Sequence, residues 1–331
     1  MRKTEKIFPS ATGPGPGWAP GLFFCGGGAR RGRQPVAFLL TVTLVVLAAA
    51  GLGAEPANDR VRAEALDREA MSHYAIRTEE EMAAALDFAE QAARACPNWV
   101  EPHALVCELC CNISDRVPNS RKEWKLAMFA RAEAAGDKAL ALDPQNPGAL
   151  YWKTLSLAGA ADLRGWADNL WLYPTFRANM DRIDVLDPHY YYGGTKRFWV
   201  EVLNRVPLFL AGCFGYQAED IAGDLAAEVR REPRYFCNYT YLARLYWKMG
   251  EKDKALNRLN YILRHDPFAL YASRGENIEH QLMACRLWKE YTGREHPQTG
   301  AVALWSRERS FPAAPSVPGI GSGTALAGGQ H

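Results

Sequence analysis

The chain has 331 residues, with 39 Lys and Arg against 37 Asp and Glu and a formal net charge of +2. So even a balance excludes the concentrated basic stripe of a nucleic-acid surface. Its 48% apolar content is that of a globular protein, long enough for one large domain or two small ones.

Residues 1–29 are rich in Gly and Pro and read as a disordered extension, or as the product of a start codon placed too early. Residues 30–54 have another layout. Arg30, Arg31 and Arg33 form a basic cluster, Val36 opens an apolar run, and Ala48, Ala49 and Ala50 lead out of it. A basic, then apolar, then small-residue order is that of a secretory signal peptide, cut near Gly51 or Glu55. The run is also long enough to serve as an uncleaved membrane anchor, and both readings imply export. The expected folded body is residues 55–293, followed by a Pro-, Gly- and Ala-rich tail over 294–331 that is expected to be disordered.

Within that body the periodicity is helical throughout and strand signals are nearly absent. Residues 82–95 and 131–142 carry helix patterns that stop at Pro97 and Pro144. Further stops at Pro188, Pro233 and Pro267 give spacings of 47, 44, 45 and 34 residues. The last unit is the clearest. With Phe236 as position 1, Leu242, Ala243 and Tyr246 fall at 7, 8 and 11, Gly250 at 15, Ala255 at 20 and Pro267 at 32. This resembles the tetratricopeptide (TPR) pattern. Small residues let two helices approach, a glycine turns the chain and a proline stops the second helix. The predicted fold is all-α, a superhelix of five stacked, degenerate TPR-type hairpins closed by a helix near residues 277–291. The longer spacings are read as lengthened helices.

Two stretches go beyond repeat grammar. Ala141-Leu142-Asp143-Pro144 precedes Leu150-Tyr151-Trp152, and Leu186-Asp187-Pro188-His189-Tyr190-Tyr191-Tyr192-Gly193-Gly194 precedes Arg197-Phe198 and Pro207. Over residues 139–263 these resemble the T-component family of TPR-associated TRAP transporters. The resemblance implies a periplasmic repeat scaffold that cooperates with the transporter's substrate-binding P-component. The chain departs from the family in having no lipidation Cys at the end of its apolar run and no second glycine pair after Pro207.

The candidate binding face is residues 190–206. Tyr192, Gly193, Gly194, Arg197, Phe198 and Trp199, with Trp152 from the preceding unit, combine aromatic surface, a permissive corner and one cation among apolar neighbours. Arg197 is read as stacking on the aromatics, pairing with Asp187, or receiving an anionic ligand. The expected partners are the P-component or another envelope protein, together with a small apolar or anionic ligand. A homo-oligomer is compatible with the reading, no nucleic acid is expected, and membrane contact is confined to the N-terminal segment. An envelope-assembly scaffold that takes peptides in its repeat groove is the alternative.

Cys107-Glu108-Leu109-Cys110-Cys111, with Cys96 and His103 nearby, is the one catalytic-looking cluster. It is read first as small residues of a helix core, then as a disulfide pair, then as a metal- or thiol-dependent site. His189 and His265 sit at helix ends, where a histidine caps carbonyls. No nucleophile elbow, phosphate loop or dinucleotide glycine pattern occurs. The sequence therefore predicts no enzyme, no cofactor and no metal.

Overall fold

The computed structural model describes residues 57–208, 212 and 217–307. Both N-terminal expectations, for 1–29 and for 30–54, lie outside them. No helix among the described residues is long and apolar enough to cross a membrane.

Twelve α-helices and three short 3-10 turns make up the regular structure of the described residues, with no strand. In chain order they are α1 (Ala57–Tyr74), α2 (Glu79–Ala95), α3 (Val100–Arg116), α4 (Lys122–Leu142), α5 (Pro147–Arg164) and α6 (Trp166–Leu186). Then follow α7 (Tyr190–Arg205), α8 (Ala218–Arg231), α9 (Phe236–Lys248), α10 (Lys252–Arg264), α11 (Arg274–Thr292) and α12 (Thr299–Arg307). The boundaries are written locally. Thr78 caps α2 by accepting from the Glu81 amide at 3.2 Å, and three glutamates in the first turn complement the helix dipole. Asn146 caps α5 in the same way, with Pro147 at the first helical position.

Each helix packs on its chain neighbour, and the odd-numbered helices also pack on one another: α3 on α5, α5 on α7, α7 on α9 and α9 on α11. Neighbour-on-neighbour stacking of hairpins is the geometry of an α-α superhelix. The first two proline spacings have the expected cause. Helices α4 and α6 each run 21 residues, whereas α9 and α10 run 13 each, the standard hairpin. The third spacing spans α7 and α8, of 16 and 14 residues, and owes its length to the residues between them. Two large apolar clusters fill the stack, one spanning α1 to α7 and the other α7 to α12, and a small third joins Ala63 of α1 to Ala92 and Cys96. Helix α7 joins them, giving Phe198 to the first and Val200 and Leu203 to the second.

The ends of the stack meet. Arg77, in the turn after α1, donates to Glu279 of α11 at 3.0 Å, and Arg116 at the end of α3 donates to both oxygens of the same carboxylate. Gly275 sits against the same turn so closely that a Cβ there would lie 2.5 Å from the Ala75 carbonyl oxygen.

The ordered body also runs past Gly293, where the sequence had placed the start of the disordered tail. Gly293 ends α11 with a left-handed φ of 71°, which turns the chain back on itself. Helix α12 then returns Val302 into the second apolar cluster, and His296 is buried beside Asn260. Residues 308–331 lie outside the described set.

Candidate functional site

Every residue of the predicted face belongs to α7 or to the helices against it. Asp187 ends α6, and its carboxylate accepts from the His189 amide at 3.0 Å. Directly after, Tyr191, Tyr192 and Gly193 take left-handed φ values of 49°, 54° and 85°. That region costs a side-chain-bearing residue about 1–2 kcal/mol. Two in succession therefore need an external hold, and the surroundings provide one.

Arg197, one turn further along α7, supplies it. Its guanidinium donates to the carbonyl oxygens of Tyr191 (2.6 Å) and Tyr192 (3.0 Å) and to Asn238 Oδ1 (2.7 Å). Asn238 in turn donates to the Tyr192 carbonyl at 2.9 Å. The cation also lies over the rings of Tyr191 and Tyr235, at 4.9 and 5.1 Å from their centroids. A charge-assisted hydrogen bond contributes about 1.5–3 kcal/mol, enough in sum to offset the strained turn. Arg197 is 3% exposed, so its charge is not presented to solvent. Asp187 is not its partner.

The glycine pair has two separate causes. A Cβ on Gly193 would meet Glu228 of α8 at 2.5 Å, and one on Gly194 would meet the Tyr151 ring of α5 at 2.9 Å. Both are close approaches between helices, and Gly193 additionally needs its positive φ. The predicted aromatics pack around them. Trp152 lies edge-on to Tyr151 and Tyr191, Tyr192 lies 4.4 Å from Tyr235 between centroids, and Phe198 packs edge-on to Phe176 and Trp199. Trp152, Gly193, Gly194 and Phe198 are buried, whereas Tyr192 and Trp199 are half-buried.

Beyond this corner runs a buried polar network whose members the sequence did not single out. Tyr191 and Tyr235 both donate to Glu276 on α11. Tyr74 donates to Glu108 at 2.6 Å, Asn112 donates to the Tyr74 oxygen, and Arg77 reaches Asn112 and Glu279. Burial pushes the Glu108 carboxyl up to about 7, the Tyr74 hydroxyl next to it tempering the shift. Tyr74, Arg77, Glu108, Tyr191 and Glu276 line a cleft with Ser273 and Met71, and its volume is about 40 Å³. Such a space holds a few waters, not a small-molecule ligand of several hundred Å³ or a peptide. An anion entering it would face the carboxylates of Glu108 and Glu276.

The cysteine cluster is core. Cys107, Cys110 and Cys111 are buried among the apolar side chains of α3 to α5 and carry free thiols. Burial pushes Cys110 up to about 12, and Cys107 and Cys111 upward as well. Thiols held protonated are poor nucleophiles.

Surface exposure is concentrated elsewhere. On α6 Trp171 is 85% exposed, next in sequence to the exposed Leu170, and Val185 near the helix end is 84% exposed.

No protein-family model matches the sequence, and no curated protein matches it. Among solved structures the chain is similar to TTC0263, a thermophilic TPR protein of Thermus thermophilus. The identity is 17%, the match covers 66% of this chain and 99% of that one, and the TM-score is 0.48.

Proposed function

We propose that the chain is a helical-repeat scaffold that binds a protein partner, accessory to a TRAP-type solute transporter, with the substrate-binding P-component as that partner. The observation that carries the reading is the exposed apolar strip on α6. Leu170, Trp171 and Val185 fall within about 100° of one another around the helix and span about 22 Å along it. Pro174 and Ala178 lie exposed between them. Exposed Trp is the residue type most often found at the energetic centre of a protein interface. The strip lies within residues 139–263, the stretch that resembles the T-component family. The signal-like layout of residues 30–54 supports a periplasmic location.

In this reading Trp152, Tyr192, Gly193, Gly194, Arg197, Phe198 and Trp199 shape and stiffen the scaffold that presents α6. Preorganisation of this kind lowers the ordering cost of association.

The test is calorimetric titration of the purified P-component into the chain and into Trp171→Ala. Loss of a central interface Trp costs about 2 kcal/mol or more, a fall in affinity of roughly thirtyfold. An exposed side chain leaves the melting temperature nearly unchanged. Absence of binding by the wild-type chain sinks the transporter reading. Binding that survives Trp171→Ala unchanged moves the interface away from α6.

A further inference from the structure

Next to the inner network, Cys237 of α9 faces Glu276 and His280 of α11. The ligand atoms of the three lie within 4.8 Å of one another, and all three side chains are buried. Glu276 and His280 are four residues apart and share one helix face. No other such group of three occurs among the described residues.

The surroundings orient each group. Thr240 gives its hydroxyl hydrogen to the Cys237 carbonyl at 2.9 Å, so its oxygen accepts from His280 Nδ1 at 2.7 Å. That bond fixes the tautomer and leaves Nε2 as the ring's lone-pair nitrogen. A histidine that commits one ring nitrogen to a neighbouring acceptor keeps the lone pair of the other for a metal, the arrangement usual for metal ligation. Burial holds the imidazole neutral, its pKa lowered to about 4, and neutral is the form that binds a metal. The hydroxyls of Tyr191 and Tyr235 orient Glu276. Glu276 also lines the small cleft beside Tyr74 and Ser273, whose volume of about 40 Å³ is enough for water next to the cluster.

We propose that Cys237, Glu276 and His280 bind one divalent transition-metal ion of the zinc class, with a water from the cleft as fourth ligand. Sulfur, imidazole nitrogen and carboxylate oxygen are the donors such ions accept in tetrahedral sites. Bonds of about 2.0–2.3 Å place tetrahedral donors somewhat closer than they now stand, a side-chain movement of roughly 1 Å. Binding breaks the Cys237 S–H bond, the proton leaves to buffer and the sulfur lone pair takes the ion. Thiolate and carboxylate together then cancel the dipositive charge, which is what a buried ion requires. Burial, reinforced by the Glu276 carboxylate, keeps the free thiol protonated with its pKa pushed up to about 12, and the neighbouring Arg197 cation opposes that shift.

The test uses the full chain, reduced and stripped with a chelator, and titrated with Co²⁺ alone. The expected result is one equivalent bound, with a thiolate-to-cobalt charge-transfer band and the strong visible bands of tetrahedral cobalt. Cys237→Ser removes the charge-transfer band, and Glu276→Gln and His280→Ala each weaken binding by about tenfold or more. Cys110→Ser, a change to a core thiol outside the site, leaves the cobalt stoichiometry and bands as in the wild type. Zn²⁺ displaces the cobalt and raises the melting temperature of the wild-type chain but not that of Cys237→Ser. Circular dichroism establishes that each variant is folded. A wild-type chain that takes up no cobalt overturns the proposal without reference to any variant. A band that survives in folded Cys237→Ser overturns it equally.

Discussion

The α9–α10 hairpin and the corner between α6 and α7 are both turns of one stack, yet they are held in opposite ways. The hairpin is apolar and local. Ala243 and Ala255 are fully buried where its two helices touch, Leu242, Leu259 and Ile262 fill the space around them, and Gly250 turns the chain at φ 83° with open space around it. The corner is polar and distant. Its two strained tyrosines are held by Arg197, by Asn238 on α9 and by Glu276 on α11, and the bonds to those other helices span 41 to 85 residues of sequence. A repeat that only has to stack can be written in small and branched apolar residues. One that must also close the ends of the stack has buried charges, and every buried charge needs partners.

The comparison can be broken at its two glycines, which share a conformation but not an environment. Gly250→Ala meets only the backbone penalty, partly offset by a less flexible unfolded chain, for a net loss of about 1 kcal/mol. Gly193→Ala adds a clash with Glu228, and overpacking adds about 1–3 kcal/mol more. Denaturant midpoints of the two variants check this, and equal losses would mean that α8 gives way at no cost.

A second expectation separates the regions by pH. Glu108 holds its proton up to about pH 7 in the folded state, whereas in the unfolded chain it releases it at an ordinary carboxylate pKa. The folded state binds the extra proton, so its contribution to stability falls as pH rises from about 4.5 to about 7, by up to about 3 kcal/mol. His280 works in the opposite direction. Its folded pKa of about 4 lies below the unfolded value, so stability is lost as pH falls from about 6.5 toward 4. The difference between Glu108→Gln and wild type at each pH isolates the first effect. Chemical denaturation from pH 5 to pH 8 should show the variant gaining on the wild type as pH rises. A constant difference would contradict the burial of a charged Glu108.

How much of this was legible in sequence follows the same division. The hairpin was readable because Leu242, Ala243, Gly250, Ala255 and Pro267 specify it within one period, and α11 was readable from its helical pattern. His265 was also placed correctly at a helix end, where it binds the Tyr261 carbonyl. His189 lies at a helix boundary too, but its ring binds Glu228 on α8 instead of capping a backbone carbonyl. The aromatic and glycine residues of the corner could be picked out, but their hold on one another could not. Arg77 and Glu279 are 202 residues apart, and no periodicity links them. Glu108 sat inside a conspicuous cysteine motif, which drew the reading toward thiol chemistry and away from its own carboxylate. Trp171 could not be singled out as exposed, because a helix period does not say which side of a stack meets solvent. Helix α12 was passed over because its nine residues sit next to a Pro- and Gly-rich tail.

The central claim is that Arg197 belongs to the scaffold. It is tested most directly by a double-mutant cycle of Arg197→Met and Asn238→Leu, read in denaturant unfolding free energy. The two side chains meet at 2.7 Å in a buried place. Residues that share such a network couple by about 0.5–3 kcal/mol, and the charge-assisted bond puts this pair toward the upper end. The account predicts that Arg197→Met alone is strongly destabilising and that the pair couples by more than about 1 kcal/mol. Additive effects with a near-wild-type stability for Arg197→Met would contradict it and return Arg197 to the role of a ligand-binding cation.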